Sequence, residues 1–213
     1  MDNLYEQYEK LTEEEKNSLL IYKTGLGLLL NDLDNEPDYQ FYYDKYTKLL
    51  SLPVNMLIKM TVFNTIDFTS LDTFKESIHH IKEILDEATS KITTNEDLVV
   101  YRAISSNKDI NGLSKGNLIS TSLSFGTTLN YSVAGENIKL YEIHLPAGSK
   151  VAVVPYSIEL YMQSGRLVLT NSKLDDEIIL NNDNYTFEQI DTNNGEIEII
   201  TIDAHKKDNI KNK

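Results

Sequence analysis

Residues 97–123 read DLVVYRAISSNKDINGLSKGNLISTSL, and within this stretch the chain changes character. Before it, apolar residues recur at helical steps of three and four. From it onward, short runs rich in β-branched residues alternate with turns. Toward the N-terminus, Asp67 to Ser70 offers caps for a helix carrying Phe74, Ile78, Ile81, Leu85 and Ala88 on one face, and Thr93-Thr94-Asn95 closes the helical half. Tyr39 to Leu50 predicts another helix, with Tyr42, Tyr43, Tyr46 and Leu49 as its apolar face. Thr12-Glu13-Glu14-Glu15 is a capping box ahead of Leu19, Leu20, Tyr22, Leu26, Leu29 and Leu30, although Gly25 and Gly27 weaken that helix in its middle. Toward the C-terminus, strands are predicted at 98–101, 118–121, 138–145, 151–154, 166–169, 177–180 and 197–202. Pro146-Ala147-Gly148 and Asn193-Asn194-Gly195 serve as turns. Helices first and strands second predict an α+β domain with a largely antiparallel sheet. The whole of 1–213 reads as one domain: a helical part over about 1–95, a β-rich part over 96–204 and a polar, frayed tail over 205–213.

Composition narrows the chemistry. With no cysteine among 213 residues, disulfides, thiolate zinc sites, Fe–S clusters and a cysteine nucleophile are excluded. The net charge of −13, from 20 Lys+Arg against 33 Asp+Glu, disfavours broad electrostatic binding to nucleic acid or an anionic membrane. It does not exclude a local basic site for a phosphorylated ligand. No run approaches the roughly 18–20 apolar residues of a membrane span. Met1 to Glu6 lacks the basic and apolar regions of a secretory signal, so a cytoplasmic start is expected.

Three spots in the β-rich half could carry chemistry. Tyr101-Arg102 ends an apolar run, and a guanidinium there offers five fixed donors suited to a carboxylate or pyrophosphate. Ser120-Thr121-Ser122 follows Leu118-Ile119; alternation sets Ser120 and Ser122 on one face and Thr121 on the other. Asp175-Asp176-Glu177 precedes Ile178-Ile179-Leu180, and in a strand Asp175 and Glu177 share a face roughly 6.5–7 Å apart. Taken singly, these are an exposed arginine, a turn cap and an exposed acidic turn. The four histidines (His79, His80, His144 and His205) form no metal spacing with a carboxylate pair, and no metal is expected. There is no glycine-rich phosphate loop of the Rossmann kind.

In that order, the three motifs together resemble the mono-ADP-ribosyltransferase family, in its clostridial-toxin-like and phage-type branch with an Arg, Ser-Thr-Ser and Glu-x-Glu core. The likeness extends to TEEEKNSLLIYKTGLGLLLN (12–31), LVVYRA (98–103), ISTSL (119–123), YEIHLPAGSK (141–150) and EIILN (177–181), and it covers most of residues 12–202. The resemblance implies N-terminal helices packed on a largely antiparallel two-sheet β core. It implies NAD as substrate, cleaved to release nicotinamide, with ADP-ribose passed to a protein target of a host cell. A nucleic-acid target is disfavoured by the charge.

By the same resemblance, Arg102 would grip the NAD phosphates or ribose beside Tyr101, and Ser120 would orient Glu177. Thr121 and Ser122 would hold strand geometry or touch the nicotinamide side. Glu177 would stabilise the oxocarbenium-like transition state, and Asp175 would select the acceptor. The family carries Glu or Gln at that position. Asp keeps the charge that suits an arginine acceptor but is one methylene shorter. Residues 124–135 would cover phosphate and nicotinamide, with Phe125 as a stacking ring. Residues 155–174, with Tyr156, Tyr161 and Arg166, would include the target-recognition loop. His144 falls in a segment where the family's histidine is structural. A phage-encoded host modifier and a toxin or effector delivered by other machinery are equally compatible. An NAD glycohydrolase is the rival reading that the same residues would serve, and Arg102, Ser120 and Glu177 together speak against an inactive binding module on the same fold.

Overall fold

The computed structural model describes residues 2–105, 118–130, 138–161, 164–171, 177–194 and 197–207. The helical half contains α1 (Asp2–Tyr8), α2 (Glu13–Tyr22), α3 (Leu26–Leu30), α4 (Tyr39–Leu50), α5 (Met56–Thr61) and α6 (Leu71–Lys91). It is followed by β1 (Ile92–Thr93), β2 (Leu98–Ser105), β3 (Leu118–Ser122), α7 (Phe125–Asn130), β4 (Ile138–Leu145) and β5 (Lys150–Val153). The chain continues through β6 (Tyr156–Tyr161), β7 (Arg166–Asn171), β8 (Glu177–Asn181), β9 (Tyr185–Asn194) and β10 (Glu198–Lys206). The α+β class expected from the sequence is the class observed. Two compact units form: residues 8–88 with 154–173, and residues 1–7 with 89–153 and 174–213.

The helical unit is built as its sequence dictates. Thr12 caps α2 through its side chain and the Glu15 carboxylate returns the bond to the Thr12 amide at 2.8 Å, which completes the capping box. The glycines then end the helix: α2 stops at Tyr22 and α3 begins at Leu26. A Cβ on Gly27 would stand 2.1 Å from the Tyr22 carbonyl oxygen, so only glycine lets the two short helices meet this closely. Phe74, Ile78, Ile81, Leu85 and Ala88 of α6 are all fully buried, as their spacing predicts. On α4 the buried residues are Tyr46 and Leu50, four apart on one face, while Leu49 is only half-buried.

Much of the segment expected to be a recognition loop is a hairpin, with β6 and β7 paired antiparallel from Tyr156↔Asn171 to Tyr161↔Arg166. It belongs to the helical unit, and Asn55 ties it there. The fully buried Asn55 amide donates to the carbonyls of Leu49 and Gly165, each at 2.8 Å, and its oxygen accepts from the Leu167 amide at 2.8 Å.

In the other unit eight strands run in the order β1-β5-β8-β3-β2-β4-β10-β9. Among the described residues only the β4–β10 pair is parallel. The expected two-sheet core takes a particular form: two four-stranded halves, joined among the described residues by a single ladder pair, Tyr101↔Ser122. Val100, Tyr141, Ile143 and Leu145 are buried in one half, and Val151, Val153, Ile178 and Leu180 in the other. Edge strand β1 is covered by Gln7, whose amide brackets Thr93 with bonds of 2.9 and 3.0 Å. β9 and β6 were not expected from the sequence. The first is largely exposed and polar, and the second interrupts its apolar alternation with Glu159. Of the expected tail, residues 208–213 lie outside the described residues.

Two predictions follow from this packing. Asn55→Ala removes three buried hydrogen bonds and strands the Leu167 amide, so urea unfolding is expected to show a loss of about 2–4 kcal/mol. Tyr185 is buried with its hydroxyl donating to the Lys150 carbonyl, and burial pushes its pKa up to about 12 from 10.0. Its folded pKa exceeds the unfolded value, so this stabilisation is complete below about pH 10 and is lost as pH rises toward 12. Denaturant titrations across that window should show a shallower decline for Tyr185→Phe than for the parent chain.

Candidate functional site

The junction of the two half-sheets gathers the motifs singled out above. Tyr101 on β2 pairs with Ser122 on β3, and Ser122 pairs in turn with Glu177 at the start of β8. Directly paired residues share a face, so Tyr101, Ser122 and Glu177 form one row across three strands. Ser120 pairs with Ile179, which puts it diagonal to Glu177 on that same face, at a separation of roughly 7–8 Å. Glu177 is half-buried, whereas Ile178 to Asn181 behind it are buried.

Alternation turns Arg102 to the other side of β2, opposite the buried Tyr141 on β4. Its guanidinium nevertheless meets β3: Nη1 donates to the Ser120 carbonyl at 2.9 Å. Among the described residues the β2–β3 ladder is one pair long, and here a side chain meets the Ser120 carbonyl where a longer ladder would use a main-chain amide.

The three hydroxyls of Ser120-Thr121-Ser122 have distinct surroundings. Thr121 is buried, and its Oγ1 donates to the Ile178 carbonyl at 2.8 Å, stitching β3 to β8. Of the two roles considered for it, holding strand geometry is the one this contact serves. Ser122 Oγ accepts from the Ser124 amide at 3.0 Å and turns the chain into α7. Ser120 is half-buried.

Helix α7 leans on this row. Thr128 Oγ1 donates to the Ser124 carbonyl at 2.9 Å, and the Phe125 ring meets Tyr101 edge to face with centroids 5.7 Å apart and planes at 86°. Phe125 remains 39% exposed, so it is not a core residue. Burial, with the Glu142 carboxylate nearby, pushes the Tyr101 hydroxyl above its ordinary pKa. Glu142 pairs with Tyr101 from β4 and extends the row by one strand. Sequence reading passed over Glu142, although the alternation of Glu142 and His144 against buried Tyr141, Ile143 and Leu145 is its visible signal. Asp175 and residues 131–135 of the expected covering loop lie outside the described residues.

The histidines are separate. His79 bonds the Tyr39 hydroxyl at 3.0 Å, His80 faces Glu14 at 3.3 Å, and His205 faces Glu188 at 3.3 Å. His144 stands between Glu142 at 3.0 Å and Asp203 at 3.3 Å. Among the described residues, no group of three or more His, Asp or Glu is arranged to hold a metal ion. No helix among them is long and apolar enough to cross a membrane.

In sequence, the chain matches no protein-family model and no curated protein. In structure, it is similar to several solved toxins. The C3 exoenzyme of Clostridium limosum is 18% identical, with 96% of this chain and 90% of that one covered at a TM-score of 0.53. C3stau2 from S. aureus, solved with NAD, is 15% identical, with 97% and 92% covered at 0.55. The chain has the ADP-ribosyltransferase fold. A third neighbour is the ADP-ribosyltransferase Vis of Vibrio splendidus, solved in complex with agmatine. It is 14% identical, with 99% of this chain and 82% of that one covered at 0.53.

The contacts of Thr121 yield a prediction independent of function. Thr121→Val keeps the shape but leaves the buried Ile178 carbonyl without its hydroxyl donor, so unfolding measurements should show a loss of about 1–2 kcal/mol.

Proposed function

We propose that the chain is an NAD-dependent mono-ADP-ribosyltransferase that moves ADP-ribose from NAD to a protein acceptor, with arginine as the modified residue and nicotinamide released. The reading is carried by the convergence of Tyr101-Arg102, Ser120 and Glu177 on adjoining strands in a fold whose solved examples include ADP-ribosyltransferases. Support for NAD as substrate comes from C3stau2, which was solved with it.

In the proposed reaction the bond between nicotinamide nitrogen and ribose C1′ breaks, and both electrons leave on nicotinamide. Positive charge then develops on C1′ and the ring oxygen, as in glycoside cleavage. The Glu177 carboxylate counters that charge and holds a ribose hydroxyl, an interaction that strengthens as the charge appears. Ser120, diagonal to it, orients the carboxylate. With five N–H donors in its fork, a guanidinium can hold a carbonyl and still meet an anion, which suits Arg102 to NAD phosphate or ribose. Tyr101, Thr121, Ser122 and Phe125 shape the surroundings of the dinucleotide. An acceptor nitrogen attacks C1′ with its lone pair and gives up a proton to solvent. Asp175, two residues before Glu177, is the carboxylate proposed to hold an acceptor guanidinium. Action on a host-cell protein, as a toxin or effector, follows as part of the same proposal.

The test is nicotinamide release from NAD by the purified chain, alone, with agmatine and with cell lysate. Release stimulated by agmatine and lysate, with ADP-ribose transferred to a protein band, is the expected outcome. Glu177→Gln should lower it by about 10²–10³-fold. Release indifferent to either acceptor would make water the acceptor and the enzyme a glycohydrolase. Absence of both release and NAD binding would overturn the reading.

A further inference from the structure

The segment from Lys45 to Ile66 contains three lysines and no acidic residue, in a chain whose net charge is −13. Within it, residues 56–61 leave an apolar helix uncovered. None of the six residues of α5 is buried, although Met56, Leu57, Ile58 and Met60 are apolar. Leu57 is 74% exposed, Met60 68% and Met56 58%. Leu52 and Val54, just before the helix, are exposed as well. A lone exposed leucine needs no explanation, but a run of this kind marks an interaction surface.

The patch continues onto the hairpin of the same unit. Asn55 bonds Gly165 and Leu167, and the side chain of Leu52 lies against Gly165, so the β6–β7 turn abuts the segment that leads into α5. Leu160, Tyr161 and Leu169 of the hairpin are exposed, as is Arg166 beside the turn. From Leu160 to Asn171 there is again no acidic residue. Exposed Lys48 and Lys59, with Arg166, add basic charge to the apolar surface.

We infer that this surface docks on an anionic phospholipid membrane, α5 dipping its methionine and leucine side chains among the lipids while the basic side chains meet the headgroups. Three observations favour lipid over protein. The apolar side chains project from a helix with no buried residue rather than lining a groove. They are mostly aliphatic and thioether, with Tyr161 the one aromatic among those named, whereas protein interfaces centre on aromatic and Arg anchors. Two of the three flanking cations are lysines, depleted at protein interfaces but well suited to anionic headgroups. The remainder of the chain is acidic and is repelled by such a membrane, so adhesion must be confined to this one surface. The inference does not depend on the reading of the Glu177 site.

The experiment is flotation of the whole chain with phosphatidylcholine vesicles, with and without about one third phosphatidylglycerol. Wild type should float with the anionic vesicles and much less with the neutral ones, and added salt should weaken the association. Lys59→Gln should lower the partition by about fivefold. The triple variant Met56→Gln/Leu57→Gln/Met60→Gln should abolish it without lowering thermal stability, because all three side chains are exposed and glutamine matches their helix propensity. Failure to float with anionic vesicles would overturn the inference, as would flotation that the triple variant retains. So would a self-association in solution that the triple variant dissolves, or crosslinking from position 60 to a lysate protein by a chain that ignores vesicles.

Discussion

The bond from Arg102 Nη1 to the Ser120 carbonyl, beside the Tyr101–Ser122 pair, joins the two half-sheets where the chemistry of the molecule is expected. Among the described residues β2 and β3 share one ladder pair, and the guanidinium adds a side-chain bond to the Ser120 carbonyl at the same junction. Thr121 performs the matching task on the far side of β3 by donating to Ile178 on β8. The strand bearing the three hydroxyls is thus tied by a side-chain bond on each flank in addition to its ladder with β8, which runs from Leu118↔Asn181 to Ser122↔Glu177 and sets the position of Glu177. Replacing Arg102 by lysine would keep the charge but not the planar fork, so the two residues are not equivalent here.

Much of this was legible in the sequence because the elements involved follow simple periods. Strand β4 runs from Ile138 to Leu145 as predicted, and α6 buries the five apolar residues its spacing selects. Legibility failed where the pattern is polar. Beyond the buried Tyr185, strand β9 (Tyr185–Asn194) is held by pairing along β10, so Asn193 and Asn194 read as turn residues while they in fact pair with Ile199 and Glu198. Leu49 and Leu50 could not be separated by hydropathy; Leu50 is the buried one because it lies one turn beyond Tyr46 on the packed face.

At the site the residue types were readable but their division of labour was not. Ser120, Thr121 and Ser122 are nearly interchangeable as letters. Pairing distinguishes them: one hydroxyl goes into the sheet, one into the turn that starts α7, and the third belongs to the half-buried residue diagonal to Glu177. Glu142 shows the converse. Its role as the next member of the Tyr101 row depends on the register between β2 and β4, which no local pattern contains. Burial raises the pKa of Tyr101, and that register adds to the rise by setting the Glu142 carboxylate on the neighbouring strand.

The charge of the chain carries a related lesson about averages. A value of −13 argues against broad binding to anionic surfaces, and over most of the sequence it does so correctly. The 33 acidic residues are absent from 45–66 and from 160–171, so the rest of the molecule is more acidic than the mean implies and these two segments are basic. Asn55 joins them in space, bonding Gly165 and Leu167 across more than a hundred residues of sequence. Two segments depleted of acids by chance would have no reason to share one exposed surface or to leave the apolar residues of α5 uncovered there. Their coincidence turns an unremarkable stretch of methionine, leucine and lysine into a surface with a defined sign and a defined face.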